Sequence, residues 1–152
     1  MDDIFCLSEP SGLGAPYFRN DLGLQFSKAI DHLTPSQIAC LLQEAIIFRV
    51  VRIVEDFHRD ADIKRVYLSG GLSELRSLQQ GIAQCITSNN PACEVFRLQQ
   101  RDASLQGAAM LAAGMKQVHH QGAEKIRSAD KNKALPEKYL RWKRWFDALL
   151  EA

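Results

Sequence analysis

The chain has 152 residues, 46% of them hydrophobic and 24% charged, proportions that suit one globular domain and exclude intrinsic disorder and collagen-like repeats. Nineteen Lys and Arg against eighteen Asp and Glu leave a formal net charge of +1, so no global electrostatic pull toward nucleic acid or acidic partners exists. No apolar run approaches the ~18–20 residues of a membrane span, and the short acidic start, Met1-Asp2-Asp3-Ile4, reads as neither signal nor transit peptide, so the expectation is a soluble cytoplasmic protein with no nucleic-acid and no membrane partner.

In chain order, the first punctuated segment is Ser11-Gly12-Leu13-Gly14-Ala15-Pro16-Tyr17-Phe18, a cluster found in many ordinary turns. Thr34-Pro35-Ser36-Gln37 then opens a helix. Thr34 can cap backbone N–H groups, proline suits the first helical position, and Gln37 can reach back to close a capping box. Ile38, Leu41, Leu42, Ala45, Ile46, Val50, Ile53, Val54 and Phe57 recur by threes and fours, which predicts a helix over about 35–59. Its charges (Glu44, Arg49, Arg52, Glu55, Asp56) fall off that stripe.

The β-branched and aromatic run Ile63–Ser69 predicts a strand that stops at Gly70-Gly71. Ser73 is positioned to cap a second helix reaching about Thr87, with Leu75, Leu78, Ile82 and Ile86 inward. Asn89-Asn90-Pro91 marks a turn, and Cys93 to Leu98 a second strand. A third helix, rich in small residues, is predicted from about Ser104 to Ala113, with Gly114 as its C′ stop. Residues 116–134 are polar and weakly periodic and read as a linker. Pro136 to Leu150 forms a terminal helix whose stripe of Tyr139, Trp142, Phe146 and Leu149 reads as core. Helix, strand, helix, strand, helix predicts an α/β fold with parallel strands and right-handed crossovers.

Cys6, Cys40, Cys85 and Cys93 are scattered, without a Cys-x-x-Cys pair, and read as buried thiols rather than a zinc site or disulfide frame. His119-His120 has nothing near it to complete a metal shell and reads as surface; His32 and His58 carry no signal. No metal site is expected in the chain.

The segment with chemical potential is the strand-Ser69-Gly70-Gly71-Leu72-Ser73-helix junction. Glycines at the carboxyl end of a parallel strand allow close ligand approach, and a following helix start favours phosphate or a ribose edge. A plain strand-to-helix turn would use the same residues, and the junction alone does not separate the two.

Order and spacing add a resemblance. The segment from Phe5 to Phe18 resembles the Gly-Leu-Gly-Ala-Pro-Tyr-Trp region of the FGGY carbohydrate kinases, glycerol kinases most closely, with Phe18 in place of the usual Trp. Val66-Tyr67-Leu68-Ser69-Gly70-Gly71 is similar to that family's adenosine-binding glycine turn. Asp102-Ala103-Ser104-Leu105-Gln106-Gly107-Ala108-Ala109-Met110-Leu111-Ala112 resembles its Glu-Ala-Thr-Ala-Leu-Gly-Ala-Ala-x-Leu-Ala helix, and Tyr139-Leu140-Arg141-Trp142-Lys143 its terminal helix.

What the resemblance implies is part of an actin-like ATPase (ribonuclease H-like) domain, with a short, mainly parallel sheet and flanking helices. Residues 1–115 would be a portion of the C-terminal nucleotide-binding domain, 116–134 a linker, and 135–152 a terminal helix on the same domain. The intact kinase would use Mg-ATP to phosphorylate a sugar or polyol hydroxyl, with this piece on the adenosine side. Gly71 then matches the glycine approached by the nucleotide and Gly70 its turn partner, with Ser73 and Leu75 completing the nucleotide-binding set. Leu75 falls where glycerol kinases place an adenine-contacting Asn. The family's catalytic Asp and phosphate loops lie upstream of anything resembled here, so the chain by itself is expected to be inactive; Glu9, Asp21, Glu74 and Asp102 read as turn, cap or surface carboxylates. The alternative is a non-catalytic truncated or split-kinase subunit acting as a protein-interaction module. Strand accounting in that fold leaves the first strand with an open edge and the stripes of the first two helices overhanging the sheet. The partners expected are therefore the missing kinase portion or a second copy, unless Ile4–Leu7 or Leu22–Phe26 folds back over the edge.

Overall fold

The computed structural model describes residues 3–99, 102–115, 122–128 and 133–152. The chain divides into two compact units, one from residues 1–62 and 131–152 and the other from residues 63–130. His119-His120 and most of the 116–134 segment lie outside the described residues. Among the described residues no helix is long and apolar enough to cross a membrane.

The first unit is built on helix α1 (Pro35–Asp60), and its start forms as the sequence predicts. The Gln37 amide donates to Thr34 Oγ1 at 3.4 Å, and the Thr34 amide donates to Gln37 Oε1 at 2.8 Å, so two otherwise orphaned donors are satisfied reciprocally. Strands β1 (Cys6–Leu7) and β2 (Gln25–Phe26) pair antiparallel, Cys6 opposite Phe26. The two N-terminal segments thus pair with each other. Helix α4 (Ala134–Glu151) completes the unit. Tyr139, Trp142 and Phe146 are fully buried, the rings of Trp142 and Phe146 stacked at 4.9 Å and Phe48 of α1 packed 5.6 Å from both Tyr139 and Trp142. The Trp142 indole donates to the Cys6 carbonyl at 3.0 Å, which fastens α4 to β1 and gives a buried indole its partner.

Two expectations for α1 need correction. Phe57 is exposed, whereas Phe48 and Val51, outside the predicted stripe, are buried. Arg49 and Arg52, expected on the solvated side, are also buried. Acceptors and rings explain it: Arg49 is paired with Glu9, and Arg52 with Asp56 at 3.3 Å and Asp147 at 2.9 Å. Both guanidinium groups also lie against the Phe146 ring, at 5.3 and 5.9 Å. A buried charge calls for a neutralising partner of this kind, although Arg49 Nη1 is buried without an acceptor.

The second unit is a three-stranded sheet in the order β3-β4-β5. Strands β3 (Arg65–Leu68) and β4 (Glu94–Leu98) are parallel, with Tyr67 opposite Phe96 and their rings stacked at 5.3 Å. Helix α2 (Arg76–Asn89) connects them and buries Leu78, Ile82 and Ile86. Strand β5 (Ala123–Lys125) pairs antiparallel with β4, inside the span read from sequence as linker. Helix α3 (Ala103–Ala112) ends at Gly114, φ +67°, with the Gly114 amide donating to the Leu111 carbonyl and the Met115 amide to the Met110 carbonyl. This double closure needs a left-handed residue, and glycine supplies it without strain. None of the residues of α3 is buried, with Leu105 at 72% and Leu111 at 79% exposure. Exposed apolar residues thus lie on α3, while both earlier helices bury apolar faces and leave Phe57 and Leu75 exposed.

The cysteines follow burial rather than any paired chemistry. Cys6, Cys85 and Cys93 are buried and all four thiols are free, while Cys40 is exposed, against the expectation for it. Burial, with Glu9 nearby, pushes the Cys6 thiol up to about 11.

Candidate functional site

The junction between β3 and α2 is where the chain departs from regular structure. Gly70 follows Ser69 at the end of β3 with φ +88°, a conformation that L side chains rarely adopt. A 3-10 turn, Gly71–Glu74, comes next. The Ser73 amide and hydroxyl both donate to the Gly70 carbonyl, at 3.1 and 2.6 Å, and the Gln79 side-chain amide donates to the Ser73 carbonyl at 2.6 Å. The turn is thus braced from within.

Ser73 does not cap α2. The helix starts at Arg76, its N-cap position is Leu75, and no side chain caps it. The physical reason is the inserted 3-10 turn: the hydroxyl that would have reached the helix amides closes the loop onto Gly70 instead. Leu75 is correspondingly turned out, at 49% exposure, rather than inward.

The two glycines play different parts. At Gly70 the backbone angle itself requires glycine. At Gly71 no such angle is imposed, and a Cβ there would meet nothing within 4 Å. The same is true of the space at Gly70. Both glycines therefore front open space, and Leu72 and Leu75 present exposed apolar side chains on the same turn. The structure brings Gly70, Gly71 and Leu75 to one surface, while Ser73 is buried beneath it with its hydroxyl engaged.

The other glycine cluster is anchored in the first unit. Leu13 bridges antiparallel to Arg19, and a Cβ at Gly12 would sit 2.8 Å from Asn20 Cα, so that glycine is needed for close backbone approach. Tyr17 places its hydroxyl between Arg52, which donates to it at 2.9 Å, and Asp56, to which it donates. Its ring meets Phe146 edge-on at 5.3 Å. Phe18 is left exposed at φ +51°. The Tyr17–Arg52–Asp56–Asp147 cluster was not legible in sequence, since its members come from three distant segments. Of the acidic residues weighed from sequence, Glu9 is committed to Arg49 and Asp21 to Arg19, whose guanidinium holds the Asp21 carboxyl down to about 2.

The family model described as "FGGY family of carbohydrate kinases, C-terminal domain" matches residues 2–115, which takes in both glycine clusters and α3. The chain belongs to the FGGY family. This FGGY domain is also similar in structure to Plasmodium falciparum glycerol kinase with ADP, at a TM-score of 0.68 and 18% identity over 95% of the present chain and 30% of that one. Xylulose kinase from Rhodospirillum rubrum aligns at 0.63 and 22% identity, covering 96% of this chain and 30% of the other. Ligand-bound xylulose kinase from Lactobacillus acidophilus aligns at 0.63 and 15%, covering 96% and 31%. These likenesses show the fold, an α/β arrangement of the actin-like ATPase kind. The chain spans about a third of the length of the kinases it resembles. No curated protein matches it by sequence.

Proposed function

We propose that the chain supplies the adenosine side of an ATP-dependent carbohydrate kinase, which in its complete form transfers a phosphoryl group from Mg-ATP to a hydroxyl of glycerol, another polyol or a sugar in the cytoplasm. The observation that carries this reading is the Gly70-Gly71 turn at the end of β3, where a Cβ at either position would meet open space. The residues present fit an adenosine moiety: backbone can approach without a side chain intervening, and Leu72 and Leu75 offer exposed apolar contact for the base. An apolar residue at position 75 offers no hydrogen bond to the base edge, so binding through this turn relies on shape and burial. Ser73 acts as a positioning residue, holding the Gly70 carbonyl. In this reading Mg²⁺ is assigned to the nucleotide phosphates and to the rest of the kinase.

Phosphoryl transfer depends on charge stabilisation and positioning from both sides of the phosphate, and one wall of a cleft does not provide that. The chain alone is accordingly expected to be catalytically silent. The second reading, a non-catalytic subunit that pairs with a separate kinase portion, is favoured by α3, whose apolar residues are uncovered.

The test is an NMR titration of the full chain with ADP, paired with a coupled ATPase assay across glycerol and common pentoses. Shifts should centre on residues 70–75 with weak affinity, Gly71→Val should remove them, and no substrate-dependent turnover should be seen. Shifts confined to α4 would reject the site. Turnover at roughly 1–1000 per second would reject the partial-cleft reading.

A further inference from the structure

A cavity of about 420 Å³ lies in the second unit between α2, β4 and the segment through β5. It is not lined by Gly70, Gly71, Ser73 or Leu75, although Gln79, which braces the turn through the Ser73 carbonyl, lies on its wall. Its walls carry Arg76 from the first turn of α2, Arg97 from β4 and Arg127 just past β5. Among the described residues none of these three guanidinium groups is engaged in an ion pair or a hydrogen bond. The fourth cation on the wall, Lys125, is committed to Glu94. Among the described residues Glu124, which stands opposite Arg97 in the β4–β5 register, is the carboxylate lining the cavity, one negative charge against these three positive ones.

Arg97 makes the arrangement more than a solvated basic patch. Its Nε is buried and has no acceptor. A buried donor in that state is destabilising until an oxygen reaches it, and three like charges gathered round one cavity are relieved by an anion. Guanidinium forks match phosphoryl oxygens in pairs. Gln80 adds a side-chain amide to the same wall. The volume falls in the range of small-molecule sites, roughly 300–1,000 Å³, and exceeds what inorganic phosphate fills. We propose that this cavity binds the phosphoryl group of a small phosphorylated organic molecule, with Arg76, Arg97 and Arg127 as its cationic contacts.

The experiment follows the arginine Nε–Hε resonances of the full chain at neutral pH, during titration with glucose 6-phosphate, inorganic phosphate and, at matched ionic strength, sodium chloride. Saturable shifts of all three side chains with glucose 6-phosphate, at an affinity equal to or better than that for inorganic phosphate, are expected. Arg97→Gln and Arg127→Gln should each weaken binding at least tenfold, whereas Arg144→Gln, exposed on α4, should leave it unchanged. Arg127 is exposed, so its replacement keeps the test decisive if the Arg97 variant does not fold. Equal shifts with chloride, or wild-type affinity in folded Arg127→Gln, would overturn the site. Saturation by inorganic phosphate alone would overturn the organic ligand.

Discussion

The two units manage their apolar surface in opposite ways. The first closes a core around fully buried Trp142, Tyr139, Phe146 and Phe48 and even draws two arginines inside beside acidic partners. The second buries one face of α2 against its sheet but leaves α3 without a buried residue and ends β3 in an open glycine turn. The bulkiest fully buried side chains lie in the first unit, and the open glycine turn and the helix without a buried residue lie in the second.

Substitutions in each unit put that contrast to the test. The largest effect is expected for Trp142→Ala, which removes a buried ring together with the bond to the Cys6 carbonyl. Urea denaturation should show about 3–5 kcal/mol lost, and a loss near 1 would mean the aromatic stack is looser than its spacing indicates. Thr34→Ala breaks the capping box at the start of α1 and should cost about 1 kcal/mol, read from the same transition. The smallest effect is expected for Leu111→Gln on α3. Exposure of 79% leaves little burial to lose, so the change should stay within about 0.5 kcal/mol. A cost of several times that would show α3 covered in solution and the contrast between the units overstated.

Local signals carried the reading a long way and stopped where distant residues decide. The capping box of α1 and the stop of α3 at Gly114 are each written within a few consecutive residues and are found as read, and of the stripe of α4 Tyr139, Trp142 and Phe146 are buried while Leu149 is only half-buried. The interior placement of Arg49 and Arg52 depends on Glu9 and Asp147, which no window along α1 contains. Strand β5 is the short, exposed run Ala-Glu-Lys, whose extended form rests on pairing with β4, so alternation could not announce it. The 3-10 turn behind the glycines is similar: serine at a helix entrance usually caps, and only the Gly70 carbonyl 2.6 Å away shows that this one braces the loop. In the candidate site, the glycines were legible as a pair, but their division into an angle-bound Gly70 and a Gly71 free of any such backbone demand was not.

The bond from the Trp142 indole to the Cys6 carbonyl joins positions 136 residues apart in the chain. During synthesis, at about 5–20 residues per second, β1 therefore leaves the ribosome many seconds before its partner exists. The first unit cannot seal its core until α4 has emerged, whereas residues 63–130 are complete earlier. Throughout that interval Leu7 and Phe48, destined to be fully enclosed, stand open to chaperones, and a nascent chain halted before Tyr139 would keep them so.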